Sequence, residues 1–336
     1  MLRGIVVGLG ARARSWIEVC RRNEDVALVG YVDPVPAMRD RARDEWAVPA
    51  TAIFSNLTEA LAAVEADFVL DVTPPAAHEA VATEAFAAGL HVIEEKPMSD
   101  DFAAARRMVA AAEAADRTLM ITQNYRFGAT PRTSRRLLAE GAIGTPEVVN
   151  VGFYRPWATR PGTHYTLMPY PMLTDMGIHH FDMLRYVLAR EPVAAHAITW
   201  NPSWGWHRGD AGHTAVFRFE GGLMVTHHGL GCSVGKPTHW NGEWRIEGPH
   251  GSLTWEDDRL FLTRDYPADA RRREEVPHDP LPRTGQDAVL AEFVAALRTG
   301  REPECSGRDN LRSLAMVFAA IRSAEERRWV EIAELL

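Results

Sequence analysis

The feature that most constrains this chain is a glycine turn close to its start. Gly8-Leu9-Gly10-Ala11-Arg12-Ala13 follows the apolar run Ile5-Val6-Val7 and opens an amphipathic segment. Strand, glycine turn and helix in that order form the fingerprint of a dinucleotide-binding βαβ unit, with Ala in the third small position. Gly8 permits the tight turn and Gly10 lets backbone approach a pyrophosphate. Ala13 allows close helix packing, while the helix N-terminus attracts the phosphates. The second strand ends in Tyr31-Val32-Asp33, which puts a carboxylate 23 residues after Gly10. There it holds a ribose 2′-hydroxyl and repels a 2′-phosphate, which points to NAD. Arg12 and Arg14 leave NADP open, since either could reach a 2′-phosphate.

The first 124 residues keep this rhythm, alternating short β-like runs with Ala-rich amphipathic stretches. That pattern predicts an α/β doubly wound parallel sheet with crossover helices on both faces. Strands are expected at Arg3–Gly8, Val26–Val32, Phe68–Val72, His91–Glu94 and Leu119–Thr122. Helices are expected at Arg12–Arg21, Pro36–Glu45, Ala76–Ala88 and Asp100–Ala115, the last capped by Ser99. After Asn124 longer alternating segments take over, as in His213–Phe219, Leu223–His228 and Glu243–Glu247, with Gly-Gly, Gly-Pro and Asp-Asp turns between them. These predict a large, mostly antiparallel sheet. One helix, Met176–Ala189, interrupts it; two more, Asp287–Leu297 and Asn310–Arg322, precede a short Trp329–Ile332 segment. The expected division is a dinucleotide-binding domain over 1–124 and a second α/β domain over 125–336, with a cleft between them as the natural site.

Composition narrows the partners. Lys and Arg total 37 against 45 Asp and Glu, a formal charge of -8, and such a chain is repelled by phosphate backbones and anionic lipid surfaces. Nucleic acid and membrane partners are not expected. The apolar runs fall well short of the ~20 residues that a bilayer span requires, so the chain reads as soluble. Its three cysteines, Cys20, Cys232 and Cys305, are too scattered for a disulfide framework or zinc knuckle, and the chain opens on a strand rather than a signal peptide. A reducing cytoplasm is the expected compartment.

Two further motifs carry chemistry. Glu94-Glu95-Lys96-Pro97 stands at the C-terminal end of a predicted parallel strand, the edge at which open α/β sheets bind ligands, and a lysine there lies beside the nicotinamide. Asp175-Met-Gly-Ile-His179-His-Phe-Asp182 begins the lone helix of the second half, and its i, i+4, i+7 spacing brings three titratable groups to one face. Histidine suits proton transfer from an alcohol near neutral pH, and a carboxylate one turn away can orient it. Asp182 is expected to pair with Arg185. Zinc held by His179-His180 with Asp175, or by His227-His228, is the rival chemistry; adjacent histidines point apart and no cysteine is suitably spaced, so no metal is expected.

With the Thr73-Pro74-Pro75-Ala-Ala-His78 loop and Asn124-Tyr125-Arg126-Phe127, these motifs resemble the Gfo/Idh/MocA oxidoreductases over essentially the whole chain. The resemblance implies a Rossmann domain plus an α/β domain whose open sheet mediates homodimers or homotetramers, and NAD(P)-dependent oxidation or reduction of sugars or cyclitols. It implies a catalytic set of Lys96, Asp175 and His179. Around the cofactor it implies Gly8, Gly10, Ala11, Arg12, Ala13, Asp33, Thr73, Pro74, His78, Glu95, Lys96 and Asn124. One departure stands out: Tyr170-Pro171-Met172-Leu173-Thr174 replaces the Gly-Gly that many members carry before the catalytic Asp, which reshapes the approach to the substrate.

On the substrate side, Tyr125, Arg126, Arg155, Trp157 and His164 precede the helix in segments expected to reach the substrate beside Lys96, Asp175 and His179. Among ten tryptophans, Trp204 and Trp206 are candidate pocket walls, while Trp244, alternating with Glu243 and Arg245, is expected at an oligomer interface. No compact Arg/Lys cluster suggests a phosphorylated sugar, so a neutral sugar, glycoside or cyclitol is the expected substrate. The chemistry reads as hydride transfer, with His179 handling the proton and Lys96 the developing alkoxide. Two other readings stay open: a redox-neutral, NAD-dependent glycoside hydrolase or lyase, and a non-catalytic nucleotide or sugar sensor on the same fold.

Overall fold

The computed structural model describes residues 1–264 and 272–336, which group into two compact units: Met1–Asn124 with Arg283–Leu311, and Tyr125–Pro282 with Arg312–Leu336.

In the first unit the order is β1 (Leu2–Val7), α1 (Ala13–Arg22), β2 (Val26–Val32), α2 (Pro36–Trp46), β3 (Ile53–Phe54), α3 (Leu57–Ala63), β4 (Phe68–Asp71), α4 (Pro75–Ala87), β5 (His91–Glu94), α5 (Phe102–Ala114) and β6 (Leu119–Ile121). Among the described residues its strands form one parallel sheet in the order β3-β2-β1-β4-β5-β6, the doubly wound arrangement that reverses direction at β1 and β4. Strands such as β4 are buried along their whole length, because helices cover both faces of such a sheet. The helix starts follow local chemistry. Pro36 and Pro75 occupy first helical turns, where a missing N–H costs nothing, and the Asn56 side chain accepts from the Glu59 N–H at the start of α3. Asp101, not Ser99, caps α5, accepting from the Ala103 N–H at 2.9 Å.

The second unit contains α6 (Ala129–Ala139), β7 (Val148–Tyr154), α7 (His164–Leu167) and α8 (Ile178–Leu188). The strands that follow are β8 (Pro192–Trp200), β9 (Gly212–Phe219), β10 (Met224–Leu230), β11 (Glu243–Gly248), β12 (Gly251–Glu256), β13 (Arg259–Arg264), β14 (Arg272–Val276) and, near the C-terminus, β15 (Val330–Glu331). Among the described residues these strands make one nine-stranded sheet in the order β14-β13-β12-β11-β7-β10-β9-β8-β15, antiparallel except at β7–β10. Its inner face carries Val149, Phe217, Val225, Trp244, Ile246 and Trp255, all buried, and Phe181 of α8 meets Phe217 edge-on, 4.8 Å between centroids. The outer face presents Ile198, Val148 and Met224 to solvent at 58%, 43% and 37% exposure.

The expected continuous domain over 125–336 is therefore interrupted. After β14 come α9 (Gly285–Thr299) and α10 (Gly307–Glu326), and α9 packs with the first unit. Phe293 meets Phe68 of β4 edge-on at 5.3 Å, while Arg22–Asp287 and Arg298–Asp25 pair at the surface. An amphipathic helix announces that it covers an apolar face, but not which sheet owns that face. Among the described residues no helix is long and apolar enough to cross a membrane.

Candidate active site

In the first unit the glycine turn has the shape its sequence requires. Gly8 has φ +90°, and a Cβ there would lie 2.8 Å from the backbone of Val72 and Thr73. A Cβ on Gly10 would meet nothing within 4 Å, so this stretch of backbone is bare on the side where a pyrophosphate must approach. Ala13 is wholly buried under the start of α1 and Ala11 is exposed. The geometry fits a dinucleotide. Asp33 braces the turn itself: Oδ2 accepts from the Leu9 N–H at 2.7 Å and Oδ1 from the Val35 N–H at 2.8 Å. A carboxylate has about four acceptor sites, so these bonds leave capacity for a ribose hydroxyl. Arg39, which the sequence reading missed, donates to the Asp33 carbonyl at 2.7 Å and puts a cation beside that acid.

Arg12, left open for a 2′-phosphate, points instead to Glu95, 3.2 Å away, and Arg14 pairs with Glu18. Glu95 also accepts from the Trp16 indole at 2.6 Å, so this carboxylate, expected at the cofactor, anchors α1 to the end of β5. Lys96 is half-buried, next to a cis peptide bond at Pro97. Thr73 closes a small turn on Asp71 Oδ1 through its N–H and hydroxyl, with Pro74 exposed beside it; Asn124 is half-buried and its N–H reaches the Thr122 carbonyl. His78 departs from expectation most clearly. It is fully buried, Nε2 2.9 Å from the Thr73 oxygen and Nδ1 3.2 Å from the Met98 oxygen, and does not reach any surface where a cofactor could touch it. Its ion-pair partner is Glu94 at 3.3 Å; burial pushes the Glu94 carboxyl upward against the pull of the His78 charge.

In the second unit Asp175 does not start an ordinary helix. Met172–Gly177 winds as a π-helix, and α-helical bonding begins at Ile178. Such wide turns are rare and concentrate at functional sites. Asp175 lies half-buried within this segment and His179, 3% exposed, in the first turn of α8. Gly177 suits the junction, since a Cβ would crowd it, 3.0 Å from the Met172 oxygen and 3.3 Å from the Phe181 ring. Tyr125 stacks on His179 with ring centroids 4.0 Å apart. Pro171, in α-helical conformation, leads into the segment, and Met172 packs with Phe153, Met176 and Trp157.

Three expectations are corrected here. Arg126 does not present itself to a substrate: it is 4% exposed and forms a two-point ion pair with Asp182, which also accepts from Ser313. Asp182 therefore does not pair with Arg185, which is held by Glu191 at 2.7 Å and 2.9 Å. Trp244 is not at an interface; it is 2% exposed on the covered face of the sheet, stacked on Trp255 at 4.2 Å.

The remaining expected residues lie among aromatic side chains and loop carbonyls of the second unit. Arg155 donates to the Thr238 carbonyl and lies 4.0 Å over the Trp240 ring. Trp157 stacks on His207 and meets Tyr165 edge-on, and its carbonyl accepts from the Trp206 indole. His164 is exposed beside Tyr165, and Trp204, 57% exposed, donates to the Cys232 carbonyl. Tyr165, in the single turn of α7, and His207, in a loop, carry no periodic signal in the sequence.

The histidines weighed for zinc bond one another instead. His180 Nε2 reaches the Trp240 carbonyl at 2.9 Å, His180 Nδ1 reaches His227 Nε2 at 2.9 Å, and His227 Nδ1 reaches His213 Nε2 at 2.9 Å. A carbonyl only accepts, so His180 carries its hydrogen on Nε2, and each following ring must do the same. Among the described residues, no group of three or more His, Cys, Asp or Glu is arranged to hold a metal ion.

Comparison with known proteins agrees with this architecture. Residues 2–123 match the oxidoreductase family with an NAD-binding Rossmann fold, and residues 132–254 match the Gfo/Idh/MocA C-terminal domain. The chain is 28% identical to a D-apiose dehydrogenase of Paraburkholderia graminis, covering 99% of this chain and 90% of that one. It is 27% identical to an inositol 2-dehydrogenase of Rhizobium meliloti, covering 98% of each. An Agrobacterium radiobacter oxidoreductase, solved with NAD+, L-tartaric acid and magnesium, shares the fold with a TM-score of 0.88 at 23% identity, covering 100% of this chain and 99% of that one. The fingerprint, the strand order and both domain matches lead to one conclusion: the chain belongs to the Gfo/Idh/MocA family of NAD-binding oxidoreductases.

Proposed function

We propose that the chain catalyses reversible hydride transfer between a CH–OH carbon of a neutral sugar, glycoside or cyclitol and a nicotinamide cofactor, with Lys96, Asp175 and His179 as its catalytic set. The observation that carries this reading is His179, almost fully buried at the junction of the π-helix and α8 and held face-on by Tyr125. Bound NAD supplies the hydride acceptor or donor. His179 takes the alcohol proton onto a ring nitrogen and returns it in the reverse direction. Lys96 hydrogen-bonds the reacting oxygen and stabilises its developing negative charge. Asp175, in the wide turn before His179, orients that ring or a neighbouring hydroxyl.

A neutral substrate is supported by the fate of the arginines: Arg126 and Arg185 are neutralised by Asp182 and Glu191. The relatives named for D-apiose and inositol favour the same class. Thr73, Pro74, Lys96 and Asn124 face the nicotinamide end in this reading, while Gly8, Gly10, Asp33 and the start of α1 hold the pyrophosphate and ribose. Arg155, Trp157 and His164 contribute to the polyol side. NADP use turns on Arg39, the cation beside Asp33. Two copies associate through the uncovered sheet face that carries Ile198 and Met224, a role the exposed apolar side chains suit.

The test is absorbance at the reduced-nicotinamide band with NAD or NADP across neutral sugars, cyclitols and glycosides, and with NADH across keto-sugars. A signal with one polyol or its ketone, lost in His179→Ala, supports the reading. Glycoside cleavage without net NADH, or silence in both directions from protein that binds cofactor, overturns it.

A further inference from the structure

His78 is fully buried in α4, and each of its ring nitrogens meets a backbone carbonyl: Nε2 that of Thr73 at 2.9 Å, Nδ1 that of Met98 at 3.2 Å. Carbonyl oxygens only accept. Both nitrogens must therefore carry hydrogen, and an imidazole that donates from both is a cation. Nδ1 also lies 3.3 Å from Glu94 Oε1, and Asp71, at the end of the neighbouring strand, is the second buried carboxylate acting on the ring. Burial opposes the charge, but Glu94 and Asp71 outweigh it and hold the ring above the ordinary histidine range. A neutral ring would turn a bare lone pair toward one of the two carbonyls at a fully buried position.

The two carbonyls belong to separate loops. Thr73 follows β4, and Met98 follows β5 two residues beyond Lys96. In a doubly wound sheet both loops stand at the carboxyl edge of the strands, where a dinucleotide lies. We propose that His78 is a positioning residue, a buried imidazolium that joins the Thr73 loop to the Lys96–Met98 loop so that the nicotinamide end of the cofactor meets a preset surface. This rests on the reading that Thr73, Pro74 and Lys96 face the nicotinamide. His78 itself stays out of contact with cofactor. Its effect is preorganisation: the loops are ordered before binding rather than at its expense.

Two measurements test the clamp. In full-length enzyme labelled with 15N-histidine, the His78 ring shows two protonated nitrogens at neutral pH; one unprotonated nitrogen overturns the proposal, whether or not any variant folds. The second compares NAD+ with ADP-ribose, which lacks the nicotinamide, by titration calorimetry. His78→Gln offers one amide and no charge, so NAD+ is expected to weaken about tenfold more than ADP-ribose. Equal weakening of both ligands, as a merely structural loss would give, or no change in either, overturns the proposal. Lys96→Met separates the two failures. If it lowers NAD+ affinity relative to ADP-ribose and His78→Gln does not, only the clamp falls; if neither does, the reading that these loops face the nicotinamide falls with it.

Discussion

Tyr125 lies face to face with His179, ring centroids 4.0 Å apart and planes 10° apart. A ring buried on all sides and stacked on a second ring has little freedom to tilt, so Tyr125 sets the plane in which His179 offers its nitrogens. His179→Ala should lower kcat by about a hundred- to ten-thousand-fold, the usual worth of a placed general acid or base, with NAD affinity unchanged. Tyr125→Ala leaves the histidine but frees its plane, and a loss of about ten- to a hundredfold is expected. Near-normal turnover in His179→Ala would remove it from the proton path.

The Arg126–Asp182 pair makes a different prediction, because neither group is exposed by more than a few per cent. Removing one partner strands a buried charge. Asp182→Ala should cost about 3–5 kcal/mol of unfolding free energy in urea titrations. If Asp182→Ala unfolds at the same urea concentration as the parent protein, Arg126 is not dependent on this carboxylate and becomes available to a substrate again.

These two cases mark how far the sequence could be read. Strands of the first unit are legible because burial on both faces writes them as apolar runs; β3, two residues long, has no run to show. Residue types at the site are legible too, since a histidine and an aspartate one turn apart suggest proton chemistry in any fold. Partners are not. Arg126 meets Asp182 across 56 positions and Arg12 meets Glu95 across 83, and no local spacing encodes either contact. His78 shows the same limit: its motif marks the loop, while its role depends on the Met98 carbonyl arriving from a different strand end.

Cofactor choice follows from the double use of Asp33. Because its carboxylate accepts from the Leu9 N–H and, in the proposed reading, holds the ribose, Asp33→Ala should weaken NAD binding by about tenfold and raise the NADP/NAD affinity ratio. Arg39→Ala should lower that ratio. Fluorescence titration with both cofactors decides, and an unchanged ratio in Asp33→Ala removes the acid from the selectivity argument.

The association proposed through the outer sheet face predicts that charge placed there separates the copies. Ile198→Glu with Met224→Glu puts two carboxylates on strands β8 and β10, on the exposed face. Burying them at an interface would be costly, so light scattering should report a monomer that still binds NAD. An assembly of unchanged mass would place the contact elsewhere.

The chain of His180, His227 and His213 predicts how stability responds to acid. All three rings are fully buried; burial pushes His180 down to about 4 and His213 to about 3, and drives His227 well below its usual range. His180 and His227 each accept on Nδ1, so a proton added to either would set two N–H groups against each other. The unfolded chain binds these protons as pH falls below about 6.5 while the folded chain does not, so each ring withdraws up to about 1.4 kcal/mol of stability per pH unit. Glu94 and Asp71 oppose this trend, because their raised carboxyls bind protons in the folded state first. The informative quantity is therefore the difference between the parent and His213→Leu, in which those contributions are shared. Urea titrations between neutral pH and about pH 5 should give a shallower loss in His213→Leu, by close to one proton per molecule. Parallel curves would mean that His213 takes up its proton while folded, and that burial does not hold its ring neutral.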